Sequence, residues 1–108
     1  MRKKIYCPKV IPLINPKTNK PMINAYIIKT AKGTYLQSYD KIIIADTYYG
    51  IFLDKKYYAI SAIVSRHRNA FLNVTNKEFI NNLNKGMYKF TQLNHERFYD
   101  DNEWNREK

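Results

Sequence analysis

The hydrophobic pattern of this chain changes period once, just after Tyr57-Tyr58. Before that point apolar residues come in short runs and alternations, the spacing of strands. After it they recur every three to four residues, the spacing of helices. Strands first and helices second predict one α+β domain, an antiparallel sheet of four to five strands packed against two short helices. A length of 108 residues leaves room for one domain with a modest core. That domain is expected over residues 1–93, with basic N-terminal strands and arm at 1–33. Residues 94–108 read as a polar, mildly acidic tail that frays despite Phe98 and Trp104.

The punctuation along the chain fits this order. Ile5 to Ile14 is apolar but contains Pro8 and Pro12, which confine it to an edge strand or an extended arm. Asn15-Pro16-Lys17-Thr18-Asn19-Lys20-Pro21 is a turn. Met22 to Thr30 is a strand, and Gly33 after it is free to take a positive φ. Thr34 to Tyr39 alternates, with Tyr35, Gln37 and Tyr39 expected on one face and Leu36 and Ser38 on the other. Ile42 to Ala45 has the continuous apolar character of a strand buried on both faces. Ile51 to Leu53 returns the chain. Beyond it, Ile60, Ile63, Val64, His67 and Phe71 fall on one helical stripe. Thr75 and Glu78 form a capping box for a second helix, with Phe79, Ile80 and Leu83 as its apolar face. Gly86 suits a helix end, and Met87 to Leu93 reads as a last strand.

Charge bears on partners. Nineteen Lys and Arg against nine Asp and Glu give a net charge of +10. Five of the nine acids lie in residues 94–108, so the body is more basic still. Such a field attracts polyanions and excludes DNA mimicry. Ile, Lys, Asn and Tyr supply 49 of the 108 residues, and their AT-rich codons tie part of the lysine excess to a low-GC genome. The single Cys7 makes no intrachain disulfide, and its simplest reading is a small strand residue. No apolar run reaches the length of a membrane span, and Met1-Arg2-Lys3-Lys4 is not followed by a signal-peptide core. The expected location is a bacterial cytoplasm.

The most distinctive chemistry lies in Ser65-Arg66-His67-Arg68-Asn69. Arginine offers paired donors to phosphate and asparagine a directional amide. The structural alternative is that Arg68 and Asn69 cap the helix or brace it against the sheet and that His67 sits at the core edge. Lys55 and Lys56 lie on a turn just upstream and add to the same basic surface. Tyr35 and Tyr39, with Tyr26 across a strand pair, are candidates for stacking on unpaired bases, although tyrosine also simply suits a half-buried sheet.

Leu36-Gln37-Ser38-Tyr39-Asp40, then Ile42 to Ala45, then Ser61 to Leu72 resemble a family of small proteins encoded by phages, plasmids and other mobile elements of low-GC Gram-positive bacteria. That family shows a QSYxxIIA strand, a hairpin, an aromatic pair, a helix reading S-[KR]-[HY]-R-N-x-F-L and a second short helix. Tyr57-Tyr58 and the Phe79–Gly86 segment match the layout, so the resemblance spans residues 34–90. Ala62, Ile63 and Val64 stand where threonines are common in it. The resemblance implies a mobile-element setting and no mechanism.

From setting and charge, the expected function is a non-catalytic accessory protein that binds nucleic acid or a nucleoprotein, such as a host nuclease complex, through its basic surface. Inhibition of a host defence nuclease, of the anti-CRISPR type, is the role such a surface would serve. The expected contact residues are Arg66, His67, Arg68, Asn69, Lys55, Lys56, Tyr35 and Tyr39. The alternative is a small nuclease or RNA-processing enzyme using His67 with Arg66 or Arg68, His95 being the second histidine. Asp40, Asp46 and Asp54 each sit beside a turn, where aspartate is common without a metal. With three glycines the chain has no phosphate-binding loop or nucleotide fingerprint, and no metal or cofactor is expected.

Overall fold

A computed structural model describes residues 8–94. Eight elements follow in order: β1 (Lys9–Ile14), β2 (Pro21–Lys29), β3 (Gly33–Ser38), β4 (Lys41–Thr47), β5 (Gly50–Asp54), α1 (Ala62–Leu72), α2 (Asn76–Asn84) and β6 (Tyr88–Thr91). The fold is α+β, with six strands rather than four to five. The sheet order is β1-β2-β3-β4-β5-β6. Neighbours from β1 to β5 are antiparallel and joined by short turns, whereas β6 pairs parallel to β5. A parallel partner needs a long crossover, and α1 and α2 supply it. Pro12 is tolerated in β1 because that strand is an edge. Residues 1–7, with Cys7, and residues 95–108 of the tail, with His95, Phe98 and Trp104, lie outside the described residues, while β1, β2 and the turn between them account for most of the N-terminal region expected as strands and arm.

The helices cover one face of the sheet. Register places Leu36, Ile44 and Leu53 side by side across β3, β4 and β5. They are fully buried, with Ala25, Ile43, Val64, Phe79 and Tyr88 in the same core. Each large apolar side chain buried there contributes roughly 1.5–3 kcal/mol. Phe79 stacks on Tyr88 with ring centroids 5.2 Å apart and planes at 17°. The pairing of β3 with β4 slips between Leu36 and Gln37. That bulge turns the adjacent Ile43 and Ile44 both inward, so a run expected to be buried by two covered faces is buried largely by one. Ala45, on the far face, is shielded between its register neighbours Tyr35 and Phe52.

Two local expectations change in detail. The inward face of α1 is Val64, His67 and Arg68, while Ile60 and Ile63 are exposed. Ile60 precedes the N-cap Ser61 and so never joins the helix. Gly33 is required for closeness rather than for positive φ, because a Cβ there would lie 2.7 Å from the Asp46 carbonyl oxygen. The capping box is present as expected. Thr75 Oγ1 accepts from Glu78 N–H at 3.1 Å, and Glu78 Oε1 accepts from Thr75 N–H at 2.8 Å. Gly86 has φ 78°.

Candidate nucleic-acid interface

The Ser65–Asn69 cluster divides between interior and surface. One turn of α1 sends Arg66 outward and buries His67 and Arg68, both 2 % exposed. Arg68 Nε donates to Asn69 Oδ1 at 3.0 Å, Nη1 to the Tyr58 carbonyl at 3.0 Å and Nη2 to Asn76 Oδ1 at 3.3 Å. Its guanidinium lies 3.7 Å from the centre of the Phe79 ring. Arg68 therefore braces α1 against α2 and the segment before α1, rather than against the sheet, with its guanidinium buried. Burial lowers its pKa, with the Tyr58 and Tyr88 hydroxyls acting in the other direction.

His67 is likewise part of the frame. Its Nδ1 is 2.8 Å from the Ser38 hydroxyl, and a second hydrogen bond reaches the Ile23 backbone. Desolvation pushes its pKa below 6.5; the Ile23 bond opposes this, and the charge of Arg66 adds to it. Among the described residues, no buried side-chain nitrogen or oxygen lacks a hydrogen-bond partner. His67 thus lacks the accessible ring nitrogen that acid–base chemistry on a bound phosphate would use.

Arg66 and Asn69 open instead into a cleft of about 570 Å³ between α1, the start of α2 and the β1–β2 turn. Lys17, Asn15, Asn73 and Asn76 also line it. The lining is mixed, with Pro16, Met22, Ala70 and Val74 beside the polar side chains, and two of its asparagines are oriented from behind. Arg68 has only donors, so the carboxamides of Asn69 and Asn76 must turn their oxygens to it. Their NH₂ groups are left unengaged by Arg68, and both residues line the cleft. Asn15 follows the same rule, since its Oδ1 accepts from Lys17 N–H at 2.8 Å. Three amides with committed acceptors, one guanidinium and one ammonium make a wall of donors. Glu78 is the acid of the lining, and its Oε1 is engaged by Thr75 N–H. Such a wall suits an oxyanion with several acceptor lone pairs, and phosphate is the commonest.

The remaining expected contacts do not form one surface. Tyr35 faces away from the helices, beside Ile28 and Ala45 across the sheet, in the neighbourhood of the Tyr26–Gln37 pair. Tyr39 does not share that face. It leaves β3 with φ 58°, and its ring lies 6.0 Å from the His67 ring on the helix side. Alternation ends where the strand ends, and the loop after it redirects the side chain. Lys55 and Lys56 are exposed beyond β5, with Lys56 Nζ 5.3 Å from the Tyr57 ring centre. Lys17, Asn15 and Asn76 carry no local sign of a shared site; only the fold brings the β1–β2 turn to the helices. Among the described residues, no three His, Cys, Asp or Glu side chains gather as metal ligands, and no helix is long and apolar enough to cross a membrane. Comparison with family models, with curated proteins and with solved structures returns no match.

Proposed function

We propose that this protein binds the phosphate backbone of a nucleic acid, free or within a nucleoprotein, through the cleft beside α1. The observation that carries this reading is the donor wall of Arg66, Lys17, Asn15, Asn69 and Asn76 in a chain of net charge +10. Arg66 supplies the paired donors, Lys17 a point charge on a mobile stem, and the amides a fixed direction. The role is one of binding without chemistry on the ligand. In the mobile-element setting implied by residues 34–90, a host nuclease complex is a partner that presents such a backbone, and occupying it would inhibit cleavage.

The test is a fluorescence-anisotropy titration of labelled RNA and DNA across a range of salt, with each probe checked for integrity on a gel. The expected result is intact probe and affinity that falls steeply with salt. Arg66→Ala should weaken binding to every sequence alike. Absence of binding at about 50 mM salt, where phosphate contacts are strongest, would overturn the reading.

A further inference from the structure

We propose that a groove on the other side of α1 holds an unpaired nucleobase, so that the nucleic acid recognised here is single-stranded. This rests on the phosphate cleft above and adds the class of ligand to it. The groove, of about 370 Å³, lies between the β3–β4 loop and the start of α1. Small-ligand sites run from roughly 300 Å³ upward, so the space suits a base and little more. Ile43 and Val64, both buried, form its floor, and the rings of Tyr39 and Tyr57 flank it. Aromatic rings beside an apolar floor recognise the π-face of a base whatever its identity.

The rim indicates what kind of ligand brings that flat apolar group. Lys41 and Lys56 hold their ammonium nitrogens over the Tyr57 ring, 5.2 and 5.3 Å from its centre, which puts positive charge next to the groove for the phosphates of a strand and leaves Tyr39 as the ring for stacking. Asp40, the acid of the lining, works against a phosphate within the groove and accepts from a base amino group instead. Apolar carbon on the floor and charged groups at the opening, Asp40 exposed among them, separate base from backbone.

Tyr39 provides an independent sign. Ser38 pairs with Lys41, so Tyr39 and Asp40 form a two-residue hairpin loop. Its first position has φ 58°, where glycine is favoured and a bulky residue is strained. Tyr39 N–H donates to the Asn24 carbonyl at 2.8 Å, and Gln37 Nε2 donates to the Tyr39 carbonyl at 2.7 Å. The turn thus demands a positive φ that glycine or asparagine would meet more easily, yet it carries a ring at the mouth of the groove. Along the axis of α1, Ser61 at the groove and Asn69 at the cleft are eight residues apart, a rise of about 12 Å at 1.5 Å per residue, to which the helix width adds roughly 10 Å because the openings lie on opposite sides. A few nucleotides span that distance.

The experiment compares a short base-bearing single strand with an abasic strand of the same length and phosphate number, and with a duplex, by fluorescence anisotropy. The base-bearing strand should bind about 5- to 150-fold more tightly than the abasic one. Tyr39→Gly relieves the backbone strain, so it should fold at least as well while bringing the two strands to one affinity. Ile60→Asp, at an exposed rim position, should do the same without touching the loop. Arg66→Ala should weaken both strands equally. Equal binding of both strands by the unaltered protein, with Arg66→Ala still weakening both, overturns the groove and leaves the cleft standing. A base preference that survives Arg66→Ala with no loss of affinity overturns the cleft and leaves the groove. Tighter binding of duplex than of single strand overturns the groove as well.

Discussion

Arg68 carries its charge into the interior with neutral acceptors and an aromatic face as its surroundings: the Tyr58 carbonyl, two asparagine amides and the Phe79 ring. Removing the guanidinium strands those acceptors and opens a gap beside Phe79. Arg68→Ala should therefore destabilise the fold by about 3 kcal/mol, read from urea unfolding, and Arg68→Lys should not rescue it, because donors gathered on one nitrogen cannot reach acceptors that the guanidinium meets with three separate nitrogens. The same variant frees the Asn69 and Asn76 amides, so any folded fraction should bind phosphate less well. His67 gives the fold a pH dependence. Its folded-state pKa lies below 6.5, chiefly because burial disfavours the imidazolium. The unfolded chain therefore takes up the proton first as pH falls. The contribution of neutral His67 is complete above pH 6.5 and is lost as pH drops below it through the folded-state value. Unfolding midpoints at pH 7.5 and pH 5.5 should differ in the native protein, with the acid sample less stable. In His67→Gln that share of the difference should vanish even though overall stability falls. Arg68 and His67 were legible as a basic cluster, but one-letter spacing does not say which members face inward. Packing against Ser38, Ile23 and Phe79 decides that.

At the scale of elements, small devices set where the candidate surfaces end up. The β3–β4 bulge turns Ile43 toward α1 and so builds the floor of the groove. Gly33 lets β3 approach β4 where a side chain would meet the Asp46 carbonyl, so Gly33→Ala should cost about 1–3 kcal/mol in unfolding free energy by forcing that pair apart. Asp54, 3 % exposed, closes the end of β5. Its Oδ2 accepts from Lys56 and Tyr57 N–H, and its Oδ1 from Leu93 N–H at 2.7 Å. It thereby anchors both the turn that carries Lys55 and Lys56 and the chain after β6. Asp54→Ala should leave those backbone donors short of partners and lower stability by roughly 2–3 kcal/mol, measured in the same unfolding assay. Thr75 and Glu78 were readable as a cap because that motif is local: donor and acceptor sit three residues apart on one chain segment. The role of Asp54 was not readable, since one of its partners is Leu93, far along the chain.

Across the whole molecule, α1 is the axis on which the proposed functions meet, with a donor-lined cleft at its C-terminal half and an apolar groove at its start. The net charge of +10 attracts polyanions at long range, and in the proposed reading the cleft is where that attraction ends. Arg66→Ala and Lys17→Ala should each reduce the slope of log affinity against log salt by about one, because each removes one phosphate neutralisation. Arg66 was marked by its own neighbourhood in the chain. Lys17 was not, since it stands on a turn whose composition says only that the chain reverses. What the sequence determined alone was what depends on neighbours along the chain: the change of period that makes an α+β fold, the turns, the cap of α2 and the excess of positive charge. The tertiary structure decided the rest. It paired β6 parallel to β5, separated Tyr39 from Tyr35, withdrew His67 and Arg68 into the frame and brought Lys17 and Asn15 to Arg66. Each of these follows from contacts between segments distant in the chain, where burial and hydrogen-bond geometry choose among side chains that spacing treats as equals.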